Sequence, residues 1–287
     1  MRDFIITTDS TVDLPMDYLE KSGNRVLSLS YMIGDDTYED MHGLSSKDFY
    51  EKVRKGSLPT TSQMNPQQAK VAFESILKEE KDILHIGFSS GLSGSCHSAK
   101  MASEELLEEY PEARIIVIDS LCASMGEGLL LYKLNEMKQW GNTIEEIAKW
   151  AEENKLHICH NFTVDDLNHL HRGGRISKAT AVLGTMVNIK PILHMDDRGC
   201  LIPIGKVRGR KKSLIELVNR MEEQIPGYKN DIVMISHGDC EEDANSVKKI
   251  VQERFGIEKF MICPVGPVIG THSGPGTVAL FFMGNKR

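Results

Sequence analysis

The feature that most constrains this chain is a repeated order in its first half: a short apolar run, a hydroxyl-rich loop, then a helix. The run over residues 4–8 (FIITT) opens into Asp9-Ser10-Thr11. The run over 83–88 (ILHIGF) opens into Ser89-Ser90-Gly91-Leu92-Ser93-Gly94-Ser95, and the run over 115–118 (IIVI) into Asp119-Ser120. Short β-prone runs alternating with helices imply right-handed βαβ units and a mostly parallel sheet. The intervening pattern fits. Asp13 and Pro15 read as a cap and first turn, and residues 26–33 as a second strand. Helices are predicted over 46–55, from Pro66 onward with Asn65 as its cap, from Ser95 to about 110, and up to Gly141. Thr143 and Glu146 have the spacing of a capping box for a further helix.

The second half reads differently. Strands are predicted over 156–162, 232–236 and 259–263, and helices over 164–171, 177–187, 211–223 and 242–255. Residues 191–195 and 200–207 flank Asp196-Asp197-Arg198-Gly199, a hairpin signal. A glycine-rich loop over 266–276 precedes a last apolar run, 278–283. The expectation is an α/β protein of two closely packed domains. Residues 1–155 form a mostly parallel sheet flanked by helices, and residues 156–287 a mixed α/β domain.

Composition narrows the function. The 287 residues carry 34 Lys+Arg against 41 Asp+Glu, a net charge of −7. A general nucleic-acid-binding face is therefore disfavoured, because phosphate neutralisation needs a positive surface. No apolar run approaches the ~20 residues of a transmembrane helix. The N-terminus lacks a signal-peptide pattern. The six cysteines are scattered without a CxxC pair, which fits buried thiols in a reducing compartment rather than disulfides or zinc. The expectation is a cytoplasmic protein.

In an open α/β sheet, ligands bind outside the carboxyl ends of the strands, where the three hydroxyl-rich loops fall. The helix start after Gly94 offers N–H groups and a positive dipole end to an anion, with Ser93 and Ser95 as further donors. Thr60, Thr61 and Ser62 add hydroxyls. His272, among glycines, could donate to an anion. The residues alone leave a second reading open, in which all of these are caps, turns and a loop-satisfied histidine. The loop over 89–95 is not a P-loop, a GxGxxG turn or a G-x-S-x-G elbow, so no nucleotide cofactor is expected. The histidines lack a metal-ligand partner set. Two basic clusters interrupt the acidic chain: Arg172, Arg175 and Lys178, and Lys206, Arg208, Arg210, Lys211 and Lys212. Each is either a solvated face or a dock for phosphate or an acidic partner.

Taken together, Asp9-Ser10-Thr11, Pro59-Thr60-Thr61-Ser62-Gln63, residues 89–95, Arg172-Gly173-Gly174-Arg175-Ile176-Ser177 and Gly266-Pro267-Val268-Ile269-Gly270-Thr271-His272 resemble the DegV family of bacterial fatty-acid-binding proteins. The motifs occur in the family's order over nearly the whole chain. One departure is Met64-Asn65, where the family pattern has an earlier proline than Pro66. The resemblance implies a first domain related to a subunit of dihydroxyacetone kinase and a buried long-chain fatty acid bound by Thr61, Ser62, Ser93, Gly94 and His272. It also implies no catalytic residue, metal or cofactor. A separate fatty-acid kinase would phosphorylate the bound carboxylate to an acyl phosphate for phospholipid metabolism, with Arg172, Arg208 and Arg210 as candidate docking residues. A C16 tail removed from water is worth at most roughly 12 kcal/mol, at ~0.8 kcal/mol per CH₂. The 14 methionines could line its tunnel or simply fill the core. The competing reading is a hydrolase or transferase acting on a small acyl or phosphorylated substrate, with Ser93 or His272 catalytic.

Overall fold

A computed structural model of the chain describes residues 2–177, 188–285 and 287. The first strand, β1 (Phe4–Asp9), is buried along its length. Helix α1 (Met16–Lys21) returns the chain to β2 (Arg25–Leu27), parallel to β1. The chain then leaves that sheet: β3 (Ser30–Ile33) and β4 (Asp36–Glu39) form a hairpin. The single strand expected over 26–33 is therefore two strands in two sheets. The split follows packing: Leu27 joins the core beneath Phe73 and Ile76, whereas Leu29 and Tyr31 join Phe49 and Tyr50. Helix α2 (Ser46–Arg54) supplies those two aromatics, and β5 (Thr60–Ser62) pairs with the free edge of β3.

Helix α3 (Pro66–Leu77) starts as its sequence dictates. Asn65 and Gln68 form a capping box, Pro66 fills the first position, and Ala69, Phe73, Ile76 and Leu77 face inward. Then follow β6 (Asp82–Gly87), α4 (Ser95–Glu109), β7 (Ile115–Asp119), α5 (Met125–Gln139) and α6 (Ile144–Asn154). The sheet order is β2-β1-β6-β7, all parallel.

The second half comprises β8 (Ile158–Thr163), α7 (Asn168–Arg172), β9 (Ile189–Met195), β10 (Leu201–Arg208), α8 (Arg210–Gln224), β11 (Val233–His237), α9 (Glu241–Phe255), β12 (Phe260–Pro264), α10 (Pro267–Ser273) and β13 (Val278–Met283). Among the described residues it forms one sheet of order β10-β9-β8-β13-β11-β12, in which only β11 and β12 run parallel. Two expectations change here, and a third is not described. The helix expected over 164–171 shrinks to α7. The glycine-rich stretch expected as a loop contains α10. The helix expected over 177–187, with Lys178, lies outside the described residues apart from Ser177.

Asp13 also departs from expectation. It does not cap α1; it ends a short turn in the left-handed region (φ 51°) and is buried. The two halves share core: Tyr31, Phe49, Tyr50 and Val53 pack with Val265 and Val268. No helix among the described residues is long and apolar enough to cross a membrane.

Candidate functional site

The carboxyl ends of the parallel strands meet one face of the six-stranded sheet, and a cavity of about 250 Å³ lies between them. That is slightly below the ~300–1,000 Å³ usual for ligand pockets. Loops after β1, β6 and β7 wall one side, and Phe162, Met195 and Phe281 wall the other. Helix α10 adds Val268 and Ile269. Of the methionines, Met195 lines the cavity, whereas Met64, Met125, Met221 and Met234 are core residues.

One end of this apolar space is polar. Thr61 Oγ1 lies 2.8 Å from His272 Nε2, across 211 positions of sequence. Thr61, Ser62, Ser93 and His272 all line the cavity. Thr61 is held by β5 pairing to Tyr31 of β3, and His272 by α10. Gly94 does not line the cavity. Its N–H donates to Gln63 Oε1 (3.1 Å), and the Ser95 N–H donates to Ser93 Oγ (3.2 Å). Two donors at the start of α4 are thus already taken by side chains. The departure at Met64 is absorbed locally: its N–H donates to Ser95 Oγ (3.1 Å) and its side chain is buried.

Burial pushes the His272 pKa down to about 3, and the Arg175 and Arg172 guanidinium charges push the same way. The imidazole is therefore neutral near pH 7. Its Nδ1 is buried without a hydrogen-bond partner among the described residues and sits against Gly173. Ser93 Oγ bonds Ser95 Oγ (3.0 Å), not the imidazole. This geometry suits an anion receptor, with hydroxyls, a ring N–H and nearby guanidinium charge, better than a base-activated nucleophile.

A second space of about 290 Å³ shares Thr61, Arg175 and His272 and adds Leu58, Pro59 and Arg172. Arg172 is exposed and contacts His169 Nδ1 (2.9 Å). Arg208 and Arg210 line neither space. Arg210 is ion-paired with Asp243 (2.8 Å) and lies 3.6 Å from Asp165.

The other hydroxyl loops mainly brace the structure. Asp9 accepts from the Thr11 and Phe88 N–H groups, Asp119 from those of Ser90 and Leu121, and Ser120 Oγ from Cys122. Sequence reasoning missed several cavity residues. Arg175 reaches the site by donating to the Leu92 carbonyl (3.0 and 3.1 Å), and Gln63 by holding Gly94. His160 lines the cavity while accepting from the Ala123 N–H (3.2 Å). No local pattern marks it, because its neighbours come from distant strands.

Known proteins share this fold. A DegV domain-containing protein of Clostridium perfringens is 42% identical over 289 residues, covering 100% of this chain and 99% of that protein. The crystal structure of DegV, a fatty acid binding protein from Bacillus subtilis, matches with a TM-score of 0.87 at 30% identity over 99% of this chain and 100% of that one. A stearic acid-binding protein from Eubacterium ventriosum matches with a TM-score of 0.90 at 26% identity, covering 98% of each chain. The DegV family pattern, described as that of uncharacterised proteins, matches residues 3–285. With that pattern running nearly end to end and the whole fold shared, this chain belongs to the DegV family.

Proposed function

We propose that this protein binds a long-chain fatty acid and presents it to a separate fatty-acid kinase, which phosphorylates the carboxylate to an acyl phosphate. The observation that carries the reading is the Thr61–His272 pair at one end of a mainly apolar cavity. Thr61, Ser62, Ser93 and His272 would receive the carboxylate, and the wall of Phe162, Met195, Phe281, Val268 and Ile269 the tail. The tail supplies most of the affinity, because apolar burial scales with chain length whereas each hydrogen bond to the head group contributes only about 1.5–3 kcal/mol. The fatty-acid ligands named for the Bacillus and Eubacterium relatives support the same ligand class.

Presentation to a kinase fits the second space, which approaches the same pair from the Arg172 side. The halves 1–155 and 156–287 act in this reading as two domains with the lipid between them, in a cytoplasmic protein without catalytic machinery of its own. A hydrolase or transferase reading gains little from the site. A histidine held near pKa 3 is a poor general base at neutral pH, and its flanking charges are cationic. Organic extraction of the purified protein followed by mass spectrometry tests the reading. About one fatty acid per chain is expected; a lipid-free protein that turns over a small ester or phosphate would overturn it.

A further inference from the structure

Two buried carboxylates have no part in the head-group chemistry. Asp13 ends the turn after β1, and Asp40 follows β4; they are 7% and 1% exposed. Asp13 Oδ2 accepts from Ser124 Oγ (2.5 Å), and Oδ1 accepts from the Gly266 N–H (2.9 Å). Asp40 Oδ1 accepts from the Val268 N–H (3.4 Å). Gly266 is the residue before α10 and has no side chain with which to cap it. A Cβ there would lie 2.8 Å from Asp13 Oδ1 and 3.6 Å from Asp40 Oδ1, so both carboxylates converge on one backbone point. The first N–H groups of a helix have no acceptors within it. Here two residues from the other half of the chain supply them. That helix carries His272 and lines the cavity with Val268 and Ile269.

We propose that Asp13 and Asp40 are positioning residues for the lipid site, together clamping the start of the helix that carries His272 while one of them stays protonated. The inference rests on the reading of Thr61 and His272 as the head-group receptor. Two carboxylates that both face Gly266 in a dry site repel each other when both ionise. Burial is the main cause that raises Asp13 to about 8 and Asp40 to about 6, and neighbouring carboxylates add to it. The titratable groups facing the pair are Asp9 at the end of β1, Tyr31 of β3, Tyr50 of α2, Glu127 of α5 and Cys263 of β12. None is cationic. When the Asp13 proton leaves at higher pH, the two anions repel across Gly266, the clamp opens, and His272 loses its register with Thr61.

The test uses delipidated full-length protein with palmitate as the probe. Wild-type affinity should fall roughly fivefold between about pH 7 and pH 9. Asp13→Asn keeps an acceptor for the Gly266 N–H without a titrating charge, so its profile should be flat. Dividing variant by wild-type affinity at each pH cancels the titration of palmitate itself. Asp40→Asn is the second variant should the Asp13→Asn protein fail to fold. Hydrogen-exchange protection factors for residues 266–273, without lipid, provide a second readout. They should fall with pH in wild type and hold steady in the variants. Parallel pH profiles in wild type and both variants, in affinity and in exchange, would overturn the clamp. Absence of palmitate binding by wild type would instead remove the head-group reading, and the exchange data would still decide whether the clamp exists.

Discussion

Gly173 decides whether His272 can occupy its place. Its φ of −72° suits any residue, so the backbone does not require glycine. Space does: a Cβ would lie 2.0 Å from His272 Nδ1. Gly173→Ala must push the imidazole aside and break its contact with Thr61. Palmitate affinity should drop roughly tenfold, the equivalent of one hydrogen bond to a charged group at its lower value of ~1.5 kcal/mol. Calorimetric titration measures this, and wild-type affinity in the variant would mean that the imidazole need not sit there. The hydroxyls are tested separately. Thr61→Ala with Ser93→Ala removes two donors, each worth about 1.5–3 kcal/mol to a bound carboxylate. An unchanged dissociation constant for the double variant would place the carboxylate elsewhere.

At the scale of elements, what the sequence made legible was local. Thr143 Oγ1 accepts from the Glu146 N–H (3.3 Å), and Glu146 Oε2 from the Thr143 N–H (2.8 Å), as their spacing predicts. Thr143→Ala should cost about 1 kcal/mol of folding free energy in urea titration. Palmitate affinity should not change, because α6 contributes nothing to the cavity wall; a large loss of binding would show that α6 governs the site after all. The Asn65 cap and the turn before β10 were equally readable. The break between β2 and β3 was not, because Leu27-Ser28-Leu29-Ser30 alternates without Gly or Pro, and only tertiary packing sends Leu27 and Leu29 into different cores. Helix α10 was hidden by its glycines. Pro267 is suited to a first helical position, but Gly270 looks like a helix breaker. It is glycine because a Cβ would lie 2.5 Å from Tyr50 Oη, a contact across the two halves that no local pattern encodes.

At the scale of the whole molecule, the site joins residues 211 positions apart, so periodicity could not have paired Thr61 with His272. Ordered family motifs could, since they name residues without needing a mechanism for bringing them together. Charge has a similar long-range character. The chain carries a net −7, yet Arg172 and Arg175 border the second space beside the proposed carboxylate, and Leu58 on the same rim is 63% exposed. Arg210 is occupied by Asp243 and Asp165, and exposed Arg208 does not border the second space, which leaves Arg172 as the better placed to meet the proposed kinase. A guanidinium there can pair in bidentate fashion with a carboxylate of the partner or with the phosphate being transferred. Contacts of this kind are screened within a Debye length, ~8 Å at physiological ionic strength. Arg172→Glu should therefore cut phosphorylation of bound palmitate by a fatty-acid kinase at least tenfold at low salt, the scale of one lost charge-assisted hydrogen bond. Wild-type phosphorylation should itself weaken as salt rises. Palmitate affinity should fall less than phosphorylation does, because Arg172 borders the second space and lies outside the cavity that takes the tail. Normal, salt-insensitive phosphorylation of the variant would refute docking through this arginine, whereas an equal loss of bound palmitate would assign Arg172 to the pocket instead.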